Sequence, residues 1–124
     1  MAYHINIEKE SIKNSYYRKV LMTTKNMQLV VMSLKPETEI GLEKHAKIDQ
    51  FIRIEKGTGK AIITNSKKDV IQTISLKDGS SIIIPKGTWH NIINTGEDKL
   101  KLYSIYSPPN HPPDTLQKNK PEND

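Results

Sequence analysis

Short runs that alternate apolar and polar residues recur through the middle of the chain and are rich in β-branched side chains. The breaks between them contain Gly, Pro, Asn, Asp or Ser, residues that favour tight turns. The pattern predicts an all-β sandwich or barrel rather than helices. The predicted strands are residues 27–34, 50–55, 60–64, 70–76, 81–85, 89–94 and 101–107, with a shorter one in "GLEKH" at 41–45.

Both ends of the chain differ from this body. Before the strands lies a short irregular N-terminal segment, in which a helix is expected around residues 8–14. Residues 108–124 are polar and hold most of the 7 prolines, so we expect an extended or disordered tail whose start can lay His111 over the body. The prediction is one β-barrel domain, residues 1–107, which includes N-terminal strands, followed by a proline-rich polar tail, residues 108–124.

The composition limits the number of domains and the cellular location that we expect for the protein. The 124 residues suit a single domain, and the absence of cysteine excludes disulfides and thiolate-bound zinc. The N-terminus does not resemble a signal peptide, and no apolar stretch approaches the roughly 20 residues that span a bilayer. We therefore expect a soluble, cytoplasmic protein with no membrane partner.

The formal charge of +5 raises the question of a nucleic-acid partner. Basic and acidic side chains are interspersed through the body, and no block of like charge reaches the roughly five or six residues that mark an interaction tail. A solvated, lysine-rich surface explains this distribution better. We expect no nucleic-acid binding.

Candidate chemistry lies first in residues 41–57. Glu43 and His45 are two positions apart and share a face if "GLEKH" is extended, whereas Gln50 aligns with the inward face of its strand. Each residue also has an ordinary interpretation. Glu43 can be a surface carboxylate, His45 a solvated turn histidine, and Gln50 an amide that caps backbone groups at a strand end.

His90 supplies the remaining candidate. It shares the face of its strand with Ile92, and a buried histidine needs a partner. Together with Glu43, His45 and Gln50 it would offer two imidazole nitrogens and two oxygen donors. That set suits a divalent first-row metal with open positions.

Residues 79–94, "GSSIIIPKGTWHNIIN", resemble the second motif of the cupin superfamily. The family spacing places its glycines, proline, histidine and asparagine at Gly79, Pro85, Gly87, His90 and Asn94. In the first motif, where the family has His, His, Glu and Gly, this chain has Glu43, His45, Gln50 and Gly57. Both replacements keep an oxygen donor. The chain is also similar to the small cupins that resemble mannose-6-phosphate isomerases.

The resemblance implies a double-stranded β-helix, the jelly-roll barrel of cupins. It implies that Glu43, His45, Gln50 and His90 bind a divalent transition metal (Fe, Mn, Ni or Zn) beside a pocket for a small-molecule ligand. Two activities follow as expectations, a metal-dependent oxygenase and a sugar or keto isomerase. The alternatives are a non-catalytic protein that binds or senses a small ligand, and a structural remnant without metal. Cupins of this size commonly form homodimers, so a homodimer is expected.

Overall fold

Two antiparallel β-sheets enclose the apolar core in the computed structural model, which describes residues 1–122. The six-stranded sheet has the order β6-β3-β8-β2-β1-β9, and the three-stranded sheet has the order β5-β4-β7. The elements are α1 Ile7–Lys13, β1 Arg18–Thr23, β2 Gln28–Leu34, β3 Asp49–Lys56, β4 Gly59–Thr64, β5 Val70–Leu76, β6 Ser81–Ile84, β7 Trp89–Asn94, β8 Leu100–Ser107 and β9 Leu116–Gln117. The predicted all-β barrel is confirmed, and β2 to β8 match the predicted strands to within one residue at each end.

Alternation along the strands builds the core. In β3, Ile52 and Ile54 are buried while Phe51 and Arg53 are partly exposed on the other face. Burying one such aliphatic side chain contributes about 1.5–3 kcal/mol. At one end of the large sheet the inward face becomes polar, because Gln28, Tyr106 and Gln50 lie side by side across β2, β8 and β3.

The N-terminal segment is more regular than expected. The helix α1 is present, and the side chain of Asn6 caps it by accepting a hydrogen bond from the backbone N–H of Lys9. The strand β1 then pairs with β2, and it lies in the N-terminal part of the domain, where strands are expected without assigned bounds. Within residues 1–122, no helix has the length and apolar character needed to cross a membrane.

The predicted short strand in "GLEKH" is wrong. Only Glu43 forms a bridge, with His90, and the backbone on either side of it is irregular. Gly41 has a φ of 109°, and a turn follows at residues 46–47. These two features interrupt the extended backbone that a strand requires.

The expectation of a disordered tail is also corrected for residues 108–122. The strand β9 pairs with β1, and the fully buried side chain of Gln28 binds the tail backbone. Its Oε1 accepts the N–H groups of Asn110 and His111, and its Nε2 donates to the carbonyl of His111. The tail has too few apolar residues to fold alone, but the body supplies partners for its backbone.

The backbone at Gly57, between β3 and β4, requires glycine for two reasons. Its φ is 115°, and a Cβ there would lie 3.1 Å from both the carbonyl oxygen of Lys99 and the Cδ1 of Leu100. Gly79 also has a positive φ, 87°, but a Cβ there would meet nothing within 4 Å. Substitutions at the two positions therefore distinguish the effect of backbone strain from the effect of crowding by neighbouring atoms.

We predict that Gly57→Ala lowers the free energy of unfolding more than Gly79→Ala does. Both variants should lose about 1–3 kcal/mol from strain. Gly57→Ala should lose on the order of 1 kcal/mol more because backbone atoms must move. Urea denaturation measures both values, and equal losses would contradict the assigned crowding.

Candidate metal centre

Backbone hydrogen bonds bring the two halves of the site together. The N–H of Glu43 donates to the carbonyl of His90 and the N–H of His90 donates to the carbonyl of Glu43, each at 2.9 Å. The N–H of Gly87 donates to the carbonyl of His45 at 2.8 Å, which ties this loop to the turn before β7. Glu43 and His45 are thus held beside His90 although they lie outside any strand.

The side chains of these three residues converge. Glu43 Oε1 lies 3.4 Å from Nε2 of His45 and 3.4 Å from Nε2 of His90. One ligand atom from each residue lies within 4.8 Å of the other two. Ligand bonds of about 2.0–2.2 Å around one ion separate the donor atoms by about 3–4 Å, so the spacing suits a shared metal.

A hydrogen bond on the far side of the ring orients His90. Its Nδ1 lies 2.9 Å from the carbonyl oxygen of Thr88. A carbonyl can only accept, so Nδ1 is the donor in this bond, and the ring directs Nε2 toward Glu43. This arrangement is typical of metal-binding histidines, whose second nitrogen donates to a carbonyl or carboxylate.

Both imidazoles bury a polar atom that protein groups leave unsatisfied. Among residues 1–122, neither Nε2 of His45 nor Nε2 of His90 has a hydrogen-bond partner. A buried polar atom without a partner costs about 1–3 kcal/mol. A cation between the two nitrogens and Glu43 would remove that cost, so the residues present fit a metal.

Glu43 is suited to remain ionised at this site. Burial alone would raise its pKa, but the attraction of the neighbouring His45 and His90 side chains outweighs burial and lowers the pKa to about 2. The contacts of 3.4 Å exceed the roughly 2.7–2.9 Å of a close charge-assisted hydrogen bond. The carboxylate is therefore charged and available as a ligand.

Gln50 lies on the inward face of the large sheet and is 3 % exposed. Its Nε2 donates to Ser104 Oγ at 3.1 Å, whereas its Oε1 is buried with no hydrogen-bond partner in the described chain. On β8 its neighbour is Tyr106, whose ring centroid is 5.7 Å from that of His45. The amide oxygen of Gln50 thus has an unused lone pair on the strand beside the cluster.

Tyr106 lines the site, and the sequence pattern alone did not place it there. Its ring makes edge contacts with His45 and, at 5.3 Å, with His111 of the tail. Burial, and then the charge of Glu43, raise the pKa of Tyr106, so its hydroxyl stays protonated. The alternation along β8 shows which residues share a face with Tyr106. Only the strand order shows that β8 pairs with β3, the strand that carries Gln50.

The sequence is similar to known proteins over most of its length. The cupin domain family model matches residues 30–106. The uncharacterized protein L612 of Acanthamoeba polyphaga mimivirus is 48% identical over 122 residues, which cover 98% of this chain and 74% of L612. The uncharacterized protein YrkC of Bacillus subtilis (strain 168) is 46% identical over 116 residues, 94% of this chain and 62% of YrkC. The chain thus spans less than two thirds of YrkC.

Solved structures agree with the family match. The crystal structure of BH2720 from Bacillus halodurans has a TM-score of 0.94 and 40% identity, covering 97% of this chain and 91% of that one. A "predicted oxalate decarboxylase" from Thermotoga maritima has a TM-score of 0.59 and 24% identity, with 68% and 69% covered, and shows the shared fold alone. The second-motif spacing, the two-sheet barrel and these matches together show that the chain belongs to the cupin family.

Proposed function

We propose that this cupin is a metal-dependent enzyme that acts on a small polar molecule, with oxygenation as its reaction type. The observation that carries the proposal is the cluster of Glu43, His45 and His90, in which two buried Nε2 atoms and a carboxylate face one point. Two histidines and one carboxylate with open positions are typical of non-haem iron oxygenases. A bound metal would supply sites for substrate and for dioxygen.

Gln50 is proposed as the fourth ligand, through its buried Oε1. The hydrogen bond from Gln50 Nε2 to Ser104 supports this role, because it fixes the amide with the oxygen as the atom left to coordinate. A neutral amide leaves Glu43 as the one formal charge in the ligand set. The net charge then equals that of a site with two histidines and one carboxylate.

The residues around the ligands would prepare the pocket. Tyr106 covers one edge of His45, and its protonated hydroxyl can donate a hydrogen bond but does not add a second negative charge. His111 lies against the same ring, so the tail closes part of the site from solvent. Exclusion of water strengthens the electrostatic interactions of the remaining groups.

An isomerase of sugars or keto compounds is the second candidate. It is favoured by the resemblance to small cupins similar to mannose-6-phosphate isomerases, and by Glu43, which could accept a proton if it were displaced as a ligand. The fold does not decide between these reactions. A non-catalytic binder would use the same ligands and would show no turnover with any substrate class.

We predict that the protein binds one divalent transition metal through the histidines of the cluster. His45→Ala and His90→Ala should each weaken Fe(II), Ni(II) and Zn(II) binding by more than about a hundredfold, because each removes a ligand, and loss of a mere supporting residue costs about 10–100-fold. Isothermal titration calorimetry measures the metal affinities. Any turnover should be lost in parallel while the circular dichroism spectrum is unchanged.

The exposed His4 provides the matched control, and His4→Ala should leave metal binding unchanged. Elemental analysis of protein purified without added metal gives an independent check. Less than about a tenth of an equivalent of any transition metal, with no uptake on titration, would refute the ligand assignment.

We further predict that substitutions of Gln50 show whether its Oε1 coordinates the metal or whether the residue has only a structural role through its hydrogen bond to Ser104. Gln50→Glu should retain or tighten metal binding, because it keeps an oxygen donor and adds charge. Gln50→Leu should weaken binding by about 10-fold or more while keeping the packing volume. If Gln50→Leu bound metal as tightly as the wild type, Gln50 would be a structural amide.

A homodimer is proposed from the outer face of the large sheet. Leu29, Ile105, Phe51 and Ile83 occupy one row across β2, β8, β3 and β6 on that face. Ile83 is 73% exposed, and the edge strand β6 carries it. A continuous apolar row of this kind favours association with a second copy of the chain through the same surface.

We predict a solution mass of twice 14.1 kDa for the wild type and of one chain for Ile83→Lys. The introduced charge would be buried without a partner at the interface. Ile71→Lys is the control, because Ile71 is 65% exposed on β5 of the other sheet. Light scattering coupled to gel filtration measures the masses, and a monomeric wild type would refute the dimer.

A further inference from the structure

We propose that a cavity remote from the metal centre binds a phosphate or pyrophosphate group. This basic cavity has a volume of about 240 Å³. Four lysines, Lys35, Lys99, Lys118 and Lys120, contribute to its wall, and hydroxyl-bearing Ser33 and Thr38 lie among them. Ammonium and hydroxyl groups are the donors that phosphate oxygens accept from.

Lysines dominate the charge of the wall. Among residues 1–122, no acidic residue lines the cavity, and none of its four lysines has a carboxylate at salt-bridge distance. Burial, and then the charges of Lys99 and Lys56, lower the pKa of Lys101, which lies two residues beyond Lys99. Like charges held together repel one another, so a bound anion would stabilise this arrangement.

Three separate parts of the chain build the wall. Lys35 follows β2, Lys99 precedes β8, and Lys118 and Lys120 belong to the tail after β9. Two hydrogen bonds hold the tail in place. The N–H of Tyr17 donates to the carbonyl of Lys118 at 3.2 Å, and Lys120 Nζ donates to the carbonyl of Glu39 at 2.9 Å. The tertiary fold therefore assembles the lysines, which are not neighbours in sequence.

The basic cavity and the metal centre lie at opposite ends of β8. Lys99 immediately precedes the first residue of that strand, whereas Tyr106 lies one residue before its end. Seven positions along a strand correspond to about 23 Å. The two sites can therefore be tested independently, and failure of the metal assignment leaves this proposal intact.

The size of the cavity limits the ligand. Drug-sized molecules occupy pockets of about 300–1,000 Å³, so this cavity suits a smaller group. Lysine ammonium groups bind phosphate as point charges, without the planar geometry that arginine imposes on carboxylates. Inorganic phosphate, pyrophosphate and the phosphate end of a small phosphomonoester share the required chemistry.

The test is a titration of the 124-residue chain with sodium pyrophosphate at constant ionic strength, monitored by backbone amide chemical shifts. We expect saturable shifts confined to residues around Ser33, Thr38, Lys99 and 118–120. The double variant Lys99→Gln/Lys118→Gln should bind at least about tenfold more weakly, because two of the four charges are lost. Neither side chain makes a hydrogen bond or salt bridge within the described chain, so the fold should be unchanged.

Lys67→Gln is the matched control, because Lys67 is an exposed lysine in the turn between β4 and β5. It should bind pyrophosphate with wild-type affinity. A titration with sodium citrate separates phosphate from carboxylate chemistry, and binding of citrate as tight as that of pyrophosphate would overturn the phosphate assignment. Unsaturable shifts spread over the lysine-rich surface, or wild-type affinity in the double variant, would overturn the site.

Discussion

The pair of backbone hydrogen bonds between Glu43 and His90 is the interaction on which the metal centre depends. In an antiparallel bridge, two residues that exchange both hydrogen bonds place their side chains on the same face. The bridge therefore brings an irregular loop carrying Glu43 and His45 against a regular strand carrying His90. Together with the hydrogen bonds from the N–H of Ile40 to the carbonyl of Ile92 and from the N–H of Gly41 to Oδ1 of Asn91, it fixes the loop against β7 so that the three donor atoms meet.

The site carries a free-energy cost, because it buries polar atoms without protein partners in the described chain, and this cost indicates a binding role. The barrel is closed by apolar side chains along most of its length, but its mouth holds unsatisfied imidazole and amide atoms. A barrel stabilised by packing alone would fill this space with aliphatic groups, because orphaned buried polar atoms destabilise a fold. The reciprocal backbone bonds and the bond from His90 to Thr88 keep those atoms oriented toward one another. A metal would convert this cost into binding energy.

The regular part of the structure was predictable from the sequence because it depends on local pattern. Alternation places Ile52 inward and Phe51 outward whatever the strand order, and the second-motif spacing identified His90 as the histidine of β7. The remainder depends on contacts between distant residues. "GLEKH" has the composition of a strand, but its pairing is limited to Glu43 because Gly41 and the following turn break the extension. The tail is ordered through hydrogen bonds to Gln28, which lies more than 80 positions earlier in the sequence. No local sequence pattern reveals a contact of this kind.

A crystal structure of protein soaked with Zn(II) or Fe(II), with anomalous differences measured at the metal absorption edge, would show whether the three residues share one ion. We expect one strong peak at about 2.0–2.3 Å from His45 Nε2, His90 Nε2 and a carboxylate oxygen of Glu43. Absence of a peak at this position, or a peak that contacts none of these three residues, would contradict the ligand assignment.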